Sequence, residues 1–219
     1  MRLRILISVG LVACAGSGLQ SAAASPTDTK ADIQAVRATF RAYLKALRDT
    51  NGKAAAGLVD RNTLAYYERM KNLALHGKES QVRPLPILDK IVVLRTRHQV
   101  PLRLLRTMNT TQYFAHAVRQ DWMDSASASR LSPGVVEVTG RRATVYVLRD
   151  AKPTPMTFAF SKEAVRWKID LTSFFAVASA AFKAMVLKGQ SQDEYILSLL
   201  ETTSGKKPAP TIWQPVIPQ

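Results

Sequence analysis

The chain has 219 residues, 47% hydrophobic and 21% charged, which is room for one domain with a full core and too apolar a mixture for a chain that stays unfolded. Its formal net charge of +15 suggests contact with something anionic, beside the plainer reading that the charge only aids solubility. The cations are dispersed in short clusters at 95–106, 140–142 and 204–208, without zinc-finger spacing, a Gly-rich phosphate loop or an RNA-binding module, so nucleic acid is not an expected partner.

Residues 1–24 read as a signal peptide. Arg2 and Arg4 precede an apolar run from Ile5 to Ala15, and Ala22, Ala23 and Ala24 offer small residues for cleavage before Ser25. The run is too short to remain as a spanning helix. An alternative lies within it: Leu11-Val12-Ala13-Cys14 resembles a bacterial lipobox, in which Cys14 would be lipidated and residues 15–28 would form a tether. Cys14 is the only cysteine, so the mature domain is expected to be held by its core without a disulfide. No transmembrane segment is expected in the mature chain.

Beyond the signal, Thr29 and Asp32 can cap a helix carrying Ile33, Val36, Phe40, Leu44 and Leu47 at helical spacing. Asn51-Gly52 stops it, and a short Ala-rich helix follows. Asp60 or Asn62 can cap the next, which Gly77 closes. Pro84-Leu85-Pro86 is a rigid break, and Pro86 opens a helix with Ile87, Leu88, Ile91, Val92 and Leu94 on a wide buried face, ended by Pro101. Residues 110–122 read as a helix with Phe114, Val118 and Trp122 on one side, and residues 124–134 as a loop.

The period then changes to two. Residues 135–138, 143–148, 156–160 and 165–171 alternate, with short polar connectors, as an antiparallel meander does. The apolar sides are Val145 and Val147; Met156, Phe158 and Phe160; and Val165, Trp167, Ile169 and Leu171. A helix over 173–187 follows, then one opened by the capping box Ser191 to Glu194, with Ile196, Leu199 and Leu200 inward. The sequence therefore predicts a single α+β domain over 25–203, helices packed on a curved antiparallel meander with more helices before and after it. Residues 204–219 read as a Pro-rich extended tail, with Trp213 able to dock.

The stretches AVRATFRAYLKALRDTNGKAAAGLVD and ATVYVL, MTFAF, AVRWKIDL together resemble the nuclear-transport-factor-2-like superfamily. The resemblance implies a bent sheet wrapping N-terminal helices into a cone. It also implies two kinds of function: dehydratases and isomerases with Asp and His inside the cone, and non-enzymatic binding or scaffold domains. The long helical stretch before the first strand and the two helices after the last depart from that pattern.

The inward faces carry no ionisable residue, so no catalytic residue is expected and the chain is read as leaning away from an enzyme. Asp170 falls on the polar side, where pairing with a surface Arg or Lys is expected. His76, at a helix end, suits the helix dipole; His98 lies in a basic stretch; His116 reads as part of a solvated face. None has metal-ligand spacing, and neither a metal nor a cofactor is expected. Tyr66, Tyr67, Trp122, Phe158, Phe160 and Trp167 are the candidates to line an apolar cavity.

The expectation is an exported binding or accessory protein, periplasmic or lipid-anchored to the envelope, whose basic surface meets an acidic protein or anionic lipid headgroups. Two alternatives stand beside it. One is a dehydratase- or isomerase-like enzyme with His116 or Asp121 entering the cavity, and the other is an immunity-like protein that binds a toxin.

Overall fold

The computed structural model describes residues 26–217, so residues 1–24, read from the sequence as a signal peptide, and Cys14 with them lie outside the described residues. Helix α1 (Pro26–Arg48) places Val36, Phe40, Tyr43, Leu44 and Leu47 on one buried face, the positions a 3.6-residue period brings together. Asn51 accepts from the Ala54 N–H at 3.0 Å and so caps α2 (Gly52–Ala56). Asp60 accepts from the Thr63 N–H at 2.9 Å and caps α3 (Arg61–His76).

Short α4 (Glu79–Val82) leads through the prolines to α5 (Ile87–Gln99) and α6 (Leu102–Thr107). Pro86 and Pro101 occupy the N-cap positions of α5 and α6. Asn109 and Gln112 form a reciprocal capping box, both bonds 2.9 Å, at the start of α7 (Thr110–Arg119). Residues 124–134, read from sequence as a loop, instead contain α8 (Ser125–Ser129), capped by Asp124, and the beginning of the first strand. The Ser/Ala alternation hides a single helical turn that only its cap fixes.

Strands β1 (Leu131–Thr139), β2 (Arg142–Arg149), β3 (Lys152–Glu163) and β4 (Arg166–Asp170) form one antiparallel sheet in the order β1-β2-β3-β4. The fold is α+β, with helices before and after the sheet. Val145, Val147, Phe158, Phe160, Trp167 and Ile169 are buried, as the alternation requires. Val165 is not: it is 83% exposed, because it sits in the β3–β4 turn beside Ala164 at φ +48° rather than in the strand.

α1 packs across the buried face of the sheet, against β1, β2 and β4. One side-chain cluster clamps the two layers. Asp32 on α1 accepts from Lys162 Nζ of β3 at 2.6 Å and from Trp167 Nε1 of β4 at 2.8 Å. Its pKa is lowered, first by the Lys162 hydrogen bond, against the opposing effect of burial, with Trp167 adding to the lowering.

After β4 the chain makes a 3-10 turn (Leu171–Phe174), then α9 (Phe175–Ala184) and α10 (Gln192–Ser204). Residues Pro210–Trp213 form a second 3-10 turn with Ile212 and Trp213 buried. Arg97 on α5 anchors it. Its guanidinium donates to the carbonyls of Ile212 and Trp213 at 3.1 and 2.7 Å, and to those of Leu73, Ala74 and Gly77 at 2.8, 3.0 and 2.5 Å. Burial pulls its pKa down to about 10, so it remains a cation at neutral pH. The Arg83 guanidinium stacks 4.3 Å from the Trp213 ring centroid.

Candidate functional site

Among the concavities of the described residues, three bear on function, and hydrogen bonding separates them. The largest, about 800 Å³, is an open groove between α3, α5 and α9. Three of its polar groups serve one another: Tyr66 donates to Asp89 at 2.9 Å, and Arg69 lies 3.8 Å from the same carboxylate.

A second recess, about 300 Å³, holds Asp60 and Asp170 beside Arg141, Arg142 and Lys162. Both carboxylates are engaged in the fold. Asp60 caps α3 and accepts from Ser161 at 3.3 Å. Asp170 accepts from Asn62 at 3.1 Å and from the N–H and hydroxyl of Thr172 at 2.9 and 2.5 Å. Asp170 therefore closes a turn, where the sequence reading expected a cationic partner. Its location at the strand end, one residue before the 3-10 turn, favours local capping. Burial, and secondarily the charge of Asp170, raise the pKa of Asp60.

The third is the most interior: a partly open cavity of about 270 Å³ between α1, α3, α8, the sheet and the segment after β4. α1 contributes Phe40, Tyr43, Leu44 and Leu47, its whole inward stripe. Met156 and Phe158 come from β3, Tyr67 from α3, and Leu171, Phe174 and Phe175 from the turn into α9. Phe158 bridges the layers, 5.5 Å from Phe40 and 5.1 Å from Phe174 between ring centroids. Ser127 and Arg149 are the remaining polar lining residues, Ser127 part-exposed and Arg149 exposed, and they mark its rim. No carboxylate and no imidazole is among the lining residues.

Of the six aromatic residues expected at a cavity, Tyr67 and Phe158 line it. Four do not. Tyr66 stacks 5.4 Å behind Tyr67 and opens instead on the outer groove. Phe160 fills core against Phe40 at 6.1 Å and reaches the Asp60 recess. Trp167 is spent on the Asp32 clamp. Trp122 lies past the end of α7, packed on Tyr113 and His116 with the Arg95 guanidinium 5.7 Å from its ring centroid. The alternation showed which side of each strand is interior, but not which part of the interior stays unfilled.

Sequence reading missed Tyr43. It sits one residue before Leu44 and completes the i, i+3, i+4, i+7 set with Phe40 and Leu47, so the helical period itself was the available signal. Tyr43 is 3% exposed. Burial alone raises its pKa well above the ordinary phenol value. The neighbouring Tyr67 hydroxyl reaches only the Met123 sulfur, at 3.7 Å, and burial, then Tyr43 and Tyr113, raise its pKa too. By contrast the Tyr113 hydroxyl is fully engaged, 2.5 Å from Thr96 Oγ1.

The histidines stand apart from the cavity. His98 meets Ser204 at 2.8 Å, and His76 is exposed in the last turn of α3. His116 is buried, not solvated: Trp122 covers it, and burial followed by the Arg119 charge lowers its pKa. Asp121 accepts from the Ser125 N–H at 2.7 Å in an exposed turn. Among the described residues no cluster of three or more His, Cys, Asp or Glu could hold a metal ion, and no helix is long and apolar enough to cross a membrane.

No protein-family model matches the chain, nor does any curated protein or solved structure.

Proposed function

We propose that this chain is an exported binding or accessory protein of a bacterial envelope that takes a small apolar molecule into its most interior cavity and acts without catalysis. The carrying observation is the wall of that cavity: aromatic and aliphatic throughout, with its one charged residue, Arg149, exposed at the rim. At about 270 Å³ it lies just below the usual range of about 300–1,000 Å³ for ligand pockets, which suits a small molecule rather than a two-chain lipid. The dehydratase or isomerase alternative needs an acid or base at the cavity. His116 and Asp121, its candidates, are committed elsewhere.

The partner in this proposal is anionic, an acidic protein or lipid headgroups, and meets the basic surface. That surface is narrower than the sequence clusters imply. In the 95–106 cluster Arg97 is consumed by five carbonyls and Arg95 rests on Trp122, which leaves Arg103 and Arg106 exposed on α6.

Native mass spectrometry of the protein released gently from its own envelope tests the reading. A releasable small-molecule mass on the folded chain is the expected result. A chain that carries no such mass and takes up no apolar molecule counts against the cavity as the functional site. The same spectrum reports the N-terminus: Ser25 marks simple signal cleavage, and an acylated Cys14 marks a lipid tether.

A further inference from the structure

We propose that α9 and the turn after it, residues 175–188, are the surface by which this protein rests on an anionic lipid bilayer. Val177, Met185 and Leu187 enter the acyl boundary, and Lys183 and Lys188 meet the headgroup phosphates. The inference rests on the reading of the partner as anionic and commits it to lipid; the cavity plays no part in it.

Large apolar side chains exposed one at a time are ordinary, whereas a cluster of them marks a contact surface. Leu104, Val135, Tyr146 and Val165 stand singly on α6, β1, β2 and the β3–β4 turn. Val177, Met185 and Leu187, at 43%, 58% and 72% exposure, fall together in one short stretch. The inner side of α9 is taken, since it packs against α5 with Phe175 and Phe182 on the core. That fixes which side faces out. Val177, Ala180, Ala181 and Ala184, three and four residues apart, are exposed and lead into the turn that carries Met185 and Leu187.

Charge selects the partner. Between Asp170 and Asp193 the chain has no acidic residue, and its charged residues there are Lys183 and Lys188. Both are exposed, and among the described residues neither forms an ion pair. The nearest acids are occupied. Asp193 takes Arg83 at 2.6 Å and Lys90 at 2.7 Å, Glu194 closes its capping box on Ser191, and Asp170 holds Asn62 and Thr172. In the open groove beside α9, which Lys183 also lines, Asp89 is engaged by Tyr66 and Arg69. The unspent charge at this surface is therefore cationic.

A second copy of the chain would set like charge against like. Protein interfaces are depleted in Lys and Ala and enriched in aromatic residues, whereas the outward side here is largely Ala with Lys, and none of its phenylalanines is exposed. A bilayer surface asks for this combination: aliphatic side chains at the acyl boundary, lysine stems lying along them and ammonium groups at the phosphates.

The test uses the full chain and vesicles of phosphatidylcholine, alone or mixed equally with phosphatidylglycerol. Whatever residues 1–24 contribute is common to every variant. The wild type is expected to bind the anionic vesicles more tightly than the neutral ones. On the anionic vesicles Leu187→Asp is expected to weaken binding by about 10-fold, and Lys183→Gln and Lys188→Gln by about 5-fold each. Val165→Asp, an equally exposed site in the β3–β4 turn, is expected to change nothing. In the wild type the anionic vesicles are expected to slow amide hydrogen exchange over 176–188, a readout that needs no variant. A preference for anionic vesicles that survives all three substitutions, with exchange over 176–188 unchanged, overturns the inference while the anionic-partner reading stands. No preference for anionic vesicles also overturns it and leaves an acidic protein as that partner. A lipid-free dimer that Leu187→Asp splits overturns it by making α9 the contact between copies.

Discussion

At the scale of single residues, close approach and hydrogen-bond satisfaction explain more than residue type does. Gly52 reads in the sequence as a helix stop, yet in the fold it is the first residue of α2 and a contact point. A Cβ there would lie 1.9 Å from the Ala115 carbonyl oxygen of α7, so α2 and α7 pack through the absence of a side chain. Gly52→Ala is therefore expected to force the two helices apart and to cost roughly 2–3 kcal/mol, measured by urea denaturation. A neutral result would mean that the α2–α7 contact is looser than described. The two tyrosines Tyr43 and Tyr113 make the complementary point. Both are buried, but the Tyr113 hydroxyl is bonded to Thr96 while Tyr43 lines the pocket between α1 and the sheet. Sequence shows two tyrosines at helical spacing in both cases; the difference lives in what faces them across the core.

At the scale of elements, the strands were legible because alternation at period two writes burial directly into residue order. Phe158, Phe160, Trp167 and Ile169 are inside for that reason. The turns were legible only as polar breaks. The β2–β3 turn places Asp150 at φ +50° and Ala151 at φ +63°, two successive left-handed residues as in a type I′ hairpin. Asp tolerates that region, helped here by the Arg130 pair; Ala carries a Cβ penalty. Ala151→Gly is expected to raise stability by about 0.5–1 kcal/mol, read as a higher urea midpoint with unchanged slope. No gain would argue that the turn is held open by something other than backbone preference. Helix α9 is the element least explained by its sequence. It is apolar nearly all round, yet none of its residues is buried, and Met185 and Leu187 beyond it are 58% and 72% exposed. One side of it packs against α5, with Phe175 and Phe182 on the core; such a helix is ordinarily covered on its other side as well, and among the described residues that side is left open.

At the scale of the whole molecule, the domain is two layers clamped by a few long-range polar contacts. Asp32 joins α1 to β3 and β4 in one such clamp. Its folded pKa lies below the ordinary aspartate value of 3.8. The unfolded chain then binds its proton first, so the contribution is fully present above pH 3.8 and is lost as pH falls through the lower, folded value. Asp32→Asn is expected to cost roughly 1.5 kcal/mol at pH 7, within the range for a hydrogen bond to a charged group. The gap to the wild type should narrow as the pH falls below 3.8. Urea midpoints of both proteins across pH 2.5–7 check this. A gap independent of pH would mean that the cost of the substitution does not come from the carboxylate's charge, and would sink the ion-pair account of the clamp.

The sequence by itself determined the α+β class, the order of helices before and after a four-stranded meander, and the inward side of the last three strands. Those follow from periodicity, and periodicity is local. It could not say that Tyr66, Trp122, Phe160 and Trp167 would be used up in packing, a groove and a clamp while Tyr43 and Tyr67 bordered the open space. Nor could it say that Arg97, read as part of a basic surface, would be drawn inside to hold five carbonyls. A cavity is the volume left when side chains from α1, α3, the sheet and the turn into α9 fail to meet. A half-buried cation on α5 depends on carbonyls brought together from two separate parts of the chain, the end of α3 and the turn at 210–213. Both are properties of long-range packing, and only the tertiary structure decides them.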